Sequence, residues 1–164
     1  MCGIVGYIGD KQATDIIMSG LHRLEYRGYD SAGVAVIKDG KLECIKSLGK
    51  LNLLDTRLEE TPLVSPLGIG HTRWATHGVP SEVNSHPHFD VPKEIAVVHN
   101  GIIENYQELR EQLQAEGVEF RSQTDTETIA HLVRKYYQGD LFAAVKRALQ
   151  DVEGAYAIGV ICQD

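Results

Sequence analysis

The stretch AGVAVIKDGKLECIK constrains the fold more than any other part of the chain. Two β-rich runs meet at Asp39-Gly40, a dipeptide favoured in tight hairpin turns whose central residues need positive φ. At least one antiparallel strand pair is therefore expected. GIVGYIG, LGIGHTRW, IAVVHNGII and AYAIGVIC read as further strands, and the middle two end in polar loops, where chemistry usually sits. Between them, apolar residues recur at helical spacing. Ile17, Leu21 and Leu24 precede Gly28, and Leu51, Leu54 and Leu58 mark a short helix. Three more helices are expected: Tyr106, Leu109 and Leu113 before Gly117; Ile129, Leu132, Val133 and Tyr136 before Gly139; Leu141, Val145, Leu149 and Val152 before Gly154. Thr124 and Glu127 have capping-box spacing, which predicts a helix start there with Asp125 in its first turn. The alternation, free of repeats and linkers, reads as a single α/β unit. The last apolar run stops two residues from the terminus, as a sheet that is cut rather than completed would.

A chain of 164 residues, 43% of them hydrophobic, has enough material for one domain with its own core. A net charge of −7 without a basic run argues against nucleic acid or an anionic membrane as the main partner, because both select clustered Lys and Arg. The longest apolar runs have strand length, far below a membrane span, and no charged segment leads into an apolar signal, so a cytoplasmic location is expected. Cys2, Cys44 and Cys162 are widely spaced and fit a reducing compartment. His71, His77, His86, His88 and His99 show neither a CxxC nor an HExxH context, and no metal or other cofactor is expected.

Cys2 stands in front of a glycine and an apolar strand, where a reactive residue needs the terminus to be held. If the initiator Met is removed, Cys2 carries both a thiol and a free α-amine. Their reference pKa values, near 8.5 and ~7.7–8.0, place a nucleophile and its own base on one residue. Gly3 leaves room beside the sulfur. A cysteine that merely packs is the competing reading.

The set LEYRGYDSAG, GHTRWATHG, HPH, VVHNGIIENY and TDTE, together with Cys2, resembles the glutaminase domain of class II glutamine amidotransferases along essentially the whole chain. Within that family it is most similar to the isomerising branch that aminates fructose 6-phosphate, and less so to the phosphoribosylpyrophosphate branch, which is the alternative. The resemblance implies an α+β, N-terminal-nucleophile hydrolase fold, a four-layer αββα sandwich. It also implies that residues 1–164 are the N-terminal part of that domain, with the isomerase region missing. It assigns Cys2 as nucleophile, Asn100 and Gly101 as the oxyanion hole, and Arg73, Thr76, His77 and Asp125 as the residues that bind L-glutamine. Arg27 and Trp74 take supporting roles. Fructose 6-phosphate would act only through the missing region, and the intact enzyme is expected to be a homo-oligomer. Each residue also has a plainer explanation: Asp125 opposing a helix dipole, Asn100-Gly101 as a turn, Arg27 as a helix-ending cation. Two readings outside the family stay open, an inactive fragment or binding module and a redox or metal protein.

Overall fold

The computed structural model describes residues 2–164. The Asp39-Gly40 hairpin forms as predicted: β2 (Ser31–Lys38) and β3 (Lys41–Leu48) pair antiparallel with Lys38 opposite Lys41. Asp39 and Gly40 have φ of 50° and 70°, and such a turn matches the right-handed twist of the strands it joins. β4 (Leu67–Arg73) pairs with β2 on one side and β1 (Gly3–Ile8) on the other, giving the order β1-β4-β2-β3. A second sheet has the order β5-β6-β7, from β5 (His88–Phe89), β6 (Ile95–Gly101) and β7 (Tyr156–Cys162).

Alternation along the central strands of the two sheets builds the layers. On β2, Val34 and Val36 face α1 (Ala13–Arg23) and α2 (Leu51–Glu60), sharing a core with Ile17, Leu21, Leu51 and Leu54. Ala35 and Ile37 point the other way and meet Ile69 and, from the second sheet, Ala96, Val98 and Ile161. On β6, Ile95 and Val97 turn outward under α3 (Tyr106–Ala115), α4 (Thr126–Tyr136) and α5 (Leu141–Ala148). The result is helix, sheet, sheet, helix, the expected αββα sandwich. Every strand pair is antiparallel, so the strand–helix alternation is α+β rather than a parallel βαβ array. Among the described residues, no helix is long and apolar enough to cross a membrane.

Several local expectations change. α1 stops at Arg23, and a 3₁₀ turn over Glu25–Arg27 carries the chain to Gly28. α5 stops at Ala148, leaving Val152 buried outside it. The capping box does not form. Asp125 occupies the N-cap position, and Glu127 accepts from the Arg121 and Ser122 N–H groups and the Ser122 hydroxyl instead. The preceding turn thus takes the carboxylate that the spacing had given to the helix. Thr124 hydrogen-bonds Ser122 and His88. The two-residue β5 is too short to carry a periodic signal.

Candidate active site

A cavity of about 470 Å³ opens where the start of β1 and the ends of β4 and β6 meet. Cys2, Asn100, Gly101, Arg73, Thr76, His77, Asp125, Arg27 and Trp74 all line it, so the fold brings together every site residue picked out from the sequence.

The chain start is held through both polar groups of the Cys2–Gly3 peptide. Gly3 N–H donates to Thr72 Oγ1 at 3.1 Å within the β1–β4 pair, and the Cys2 carbonyl accepts from Asn100 Nδ2 at 3.3 Å. The sulfur accepts from Trp74 N–H at 3.2 Å. Gly3 has a packing constraint besides the room it leaves at the sulfur. A Cβ there would lie 2.8 Å from Leu24 Cδ1 and 2.9 Å from Thr72 Oγ1, so the close approach of these side chains also favours glycine.

Residues 73–78 leave β4 as a loop over the cavity. Asp30 brackets its start: its N–H donates to Arg73 O at 2.7 Å and its Oδ2 accepts from Ala75 N–H at 2.5 Å. The Arg73 guanidinium donates through Nη2 to the carbonyls of His77 and Gly78. Its Nη1 is buried and has no partner among the described residues. Burial pushes the Arg73 pKa down while Asp30, Cys2 and Asp125 hold it up, so the group is a cation with one unused donor nitrogen. Thr76 and Trp74 are exposed at the rim, and Trp74 keeps 54% of its surface. Across the cavity, Asp125 is buried at the N-cap of α4, and its Oδ2 accepts from Ile103 N–H at 3.0 Å.

Gly101 ends β6 with φ of 120°, and a Cβ there would sit 2.2 Å from Ala155 O. Only glycine fits. Beside it, the Asn100 amide is oriented by His71, whose Nε2 lies 2.8 Å from Asn100 Oδ1 and 3.0 Å from His99 O. Both are acceptors, so Nε2 carries the proton, and the Asn100 NH₂ is turned toward Cys2 and the cavity.

His71 belongs to a buried set that the sequence offered only as metal candidates. His71 and His86 stack at 3.9 Å, and His86 meets His88 edge-on at 4.8 Å. Burial pushes His71 down to about 4 and His86 and His88 well below the usual imidazole range. The rings are neutral; His86 serves His99 N–H and Thr126, and His88 serves Thr124. The HPH and VHN runs were the available signal, but nothing in them told a buried polar network from a ligand set.

The glutamine amidotransferase domain family matches residues 71–164. The chain belongs to this family. It is 62% identical to the glutamine–fructose-6-phosphate aminotransferase [isomerizing] of Clostridium perfringens and 56% identical to that of Thermus thermophilus, in each case over the whole of this chain. It spans 27% of the length of these relatives. Among solved structures, the glutamine phosphoribosylpyrophosphate amidotransferase of B. subtilis superposes with a TM-score of 0.85 at 30% identity, over 99% of this chain and 35% of that one. In this amidotransferase domain the cavity wall carries a thiol and amide donors together with a buried cation and a buried carboxylate.

Proposed function

We propose that the domain hydrolyses the side-chain amide of L-glutamine, with Cys2 as nucleophile and its own α-amine as base. One observation carries this: the same cavity is lined by Cys2, whose carbonyl accepts from the Asn100 amide, by Asp125, and by a buried Arg73 whose Nη1 has no partner among the described residues. A buried guanidinium N–H left unpaired is costly until an anion meets it, and an amino-acid carboxylate is such an anion. Asp125 supplies the opposite charge for the ammonium group. The pair selects a zwitterion over a simple amide, with Thr76 and His77 completing the carboxylate end. Arg27 supports the nucleophile end, and the half-exposed Trp74 shields it.

In this scheme the amine takes the thiol proton as sulfur bonds to the amide carbon, and the carbonyl π electrons move onto oxygen. The oxyanion faces the Asn100 NH₂ and the Gly101 N–H, each an arrangement typically worth about 3 kcal/mol. The amine returns its proton to the leaving nitrogen, the C–N bond breaks, and ammonia departs from a glutamyl thioester. Water then attacks the thioester carbon while the amine takes its proton, and collapse expels the sulfur, which regains that proton. Glutamate and ammonia are the products, and no cofactor is used. The scheme requires loss of Met1, which lies outside the described residues.

The similarity to fructose-6-phosphate aminotransferases supports a further assignment: the ammonia serves amination of fructose 6-phosphate in a longer, cytoplasmic, homo-oligomeric enzyme of which residues 1–164 are the N-terminal part of the glutaminase domain. Cys2→Ala, which removes the nucleophile and little volume, is expected to abolish ammonia release without lowering the melting temperature by more than a few degrees. An uncleaved N-terminal extension is expected to do the same with the thiol intact, because an amide nitrogen is not basic. Turnover in the Ala variant refutes the nucleophile, and turnover in the mass-verified extended protein refutes the base.

A further inference from the structure

His99 has no part in the scheme above, yet it is buried in the cavity wall and its ring Nε2 has no partner among the described residues. It follows Val98 on β6, so it faces away from the inter-sheet core, on the side of Ile95, Val97 and α4. Asn100, the next residue, takes the opposite face, toward His71 and Cys2. His99 therefore stands at the Asp125 end of the cavity. Its electrostatic neighbours are Asp125 and His77, the residue whose carbonyl Arg73 holds.

The proton on its ring can be located by hydrogen-bond accounting. His86 Nδ1 accepts from His99 N–H at 3.3 Å, so that nitrogen is bare and a neutral His86 carries its proton on Nε2. His86 Nε2–H faces Thr126 Oγ1 at 3.4 Å, and the hydroxyl accepts there. Accepting from both rings would leave the proton of the buried hydroxyl unpaired, so Thr126 gives it to the remaining neighbour, His99 Nδ1, at 2.9 Å. With Nδ1 accepting, a neutral His99 bears its proton on Nε2, the atom without a partner. Burial lowers the His99 pKa and keeps the ring neutral. The relay of His86 and Thr126 thus fixes this cavity-lining residue as a neutral Nε2–H donor.

We propose that His99 is a substrate-binding residue, donating from Nε2 to the α-carboxylate of the amino acid beside Arg73 Nη1. An ammonium group has only donors and cannot receive this proton. The carboxylate is the acceptor an amino acid brings to the Asp125 end. Charge agrees with this: Arg73 and Asp125 already balance a zwitterion, so a second carboxylate partner must be neutral, and His99 is.

The inference rests on the glutamine reading, and the test separates the two. In the full chain, long-range ¹H–¹⁵N NMR of histidine-labelled protein is expected to show His99 as the Nε2–H tautomer, with that resonance moving on titration with L-glutamate. A Nδ1–H tautomer overturns the proposal. His99→Phe is expected to raise KM for glutamine and Kd for glutamate about tenfold with kcat nearly unchanged, and His99→Gln, which restores a donor, to recover part of the loss. The competitive inhibitor constant of 4-aminobutanamide, which lacks the carboxylate, is expected to stay the same. If wild-type protein releases ammonia and binds glutamate but His99→Phe binds it equally well, or loses kcat alone, this inference fails and the functional reading stands. If wild-type protein does neither, both fall. Should His99→Phe not fold, the wild-type tautomer and its response to glutamate decide the matter.

Discussion

Asn100 can donate to an oxyanion only if its amide is turned the right way, and a free amide rotor has two nearly isosteric orientations. His71 removes one of them. Its protonated Nε2 takes Asn100 Oδ1, and flipping the amide would set two donors against each other. His71 is thus a positioning residue, acting through Asn100 without touching the substrate. His71→Leu is expected to lower kcat about tenfold with a smaller change in KM, because the mispositioned donor faces charge that develops only in the transition state. Asn100→Ala should cost more, and adding it to His71→Leu should cost less than it does alone; additive losses in steady-state ammonia release would separate the two residues. Arg73 divides its work between the backbone of its own loop and the cavity. Lysine has no fork with which to do both, so Arg73→Lys is expected to cut kcat/KM by tenfold or more, mostly through KM. Asp125→Asn should act in the same direction, and an effect of either on kcat alone would remove it from substrate binding.

At the scale of elements, the site depends on how the loop after β4 is tied down. Asp30, which leads into β2, grips the residues on both sides of Trp74, and Trp74 N–H points at the Cys2 sulfur. This contact fixes where the sulfur sits, so slackening the loop should make Cys2 less reactive. Asp30→Ala is expected to slow alkylation of Cys2 by iodoacetamide several-fold at neutral pH, with Asp30→Asn, which keeps an acceptor, in between. Unchanged alkylation with a native circular dichroism spectrum would show that the loop holds its shape unaided. The sequence allowed only part of this to be foreseen. The hairpin was legible because Asp39-Gly40 specifies its own backbone, and the strands and helices because burial imposes a period. The order of the strands was not, since alternation says which face is buried and nothing about the neighbour. The site residues were legible through family resemblance, while Asp30 and the histidines were hidden because their partners lie tens of residues away. Thr124 and Glu127 show the opposite failure: correct spacing, with the carboxylate drawn off by the turn at Arg121 and Ser122.

Across the whole molecule, the polar cluster behind the cavity links catalysis to acid stability. His71, His86, His88 and His99 are buried, and burial depresses each of them, His71 to about 4. In the unfolded chain they titrate near the ordinary value of about 6.5. Below that pH the unfolded state binds more protons than the native state, so stability is fully present above about 6.5 and falls as the pH drops toward 4. Each neutral ring contributes a slope of at most about 1.4 kcal/mol per pH unit, and four together about 5 kcal/mol per unit, a large share of a typical domain's stability. Glu127 acts in a lower window. Burial would raise its pKa, but hydrogen bonds from His131, Ser122 and the Arg121 and Ser122 amides bring it down to about 2, so its contribution is present above about 4.5 and is lost only below that. The chain is therefore expected to melt progressively earlier between pH 7 and 5, where carboxylates such as Glu127 still hold. Urea midpoints measured at half-unit intervals across that range check this, with proton uptake on unfolding followed in parallel. A midpoint that stays flat down to pH 5, or uptake of fewer than about two protons at pH 5, would mean that the rings are charged in the native protein. The hydrogen-bond directions that orient Asn100 and His99 would then have to be reassigned.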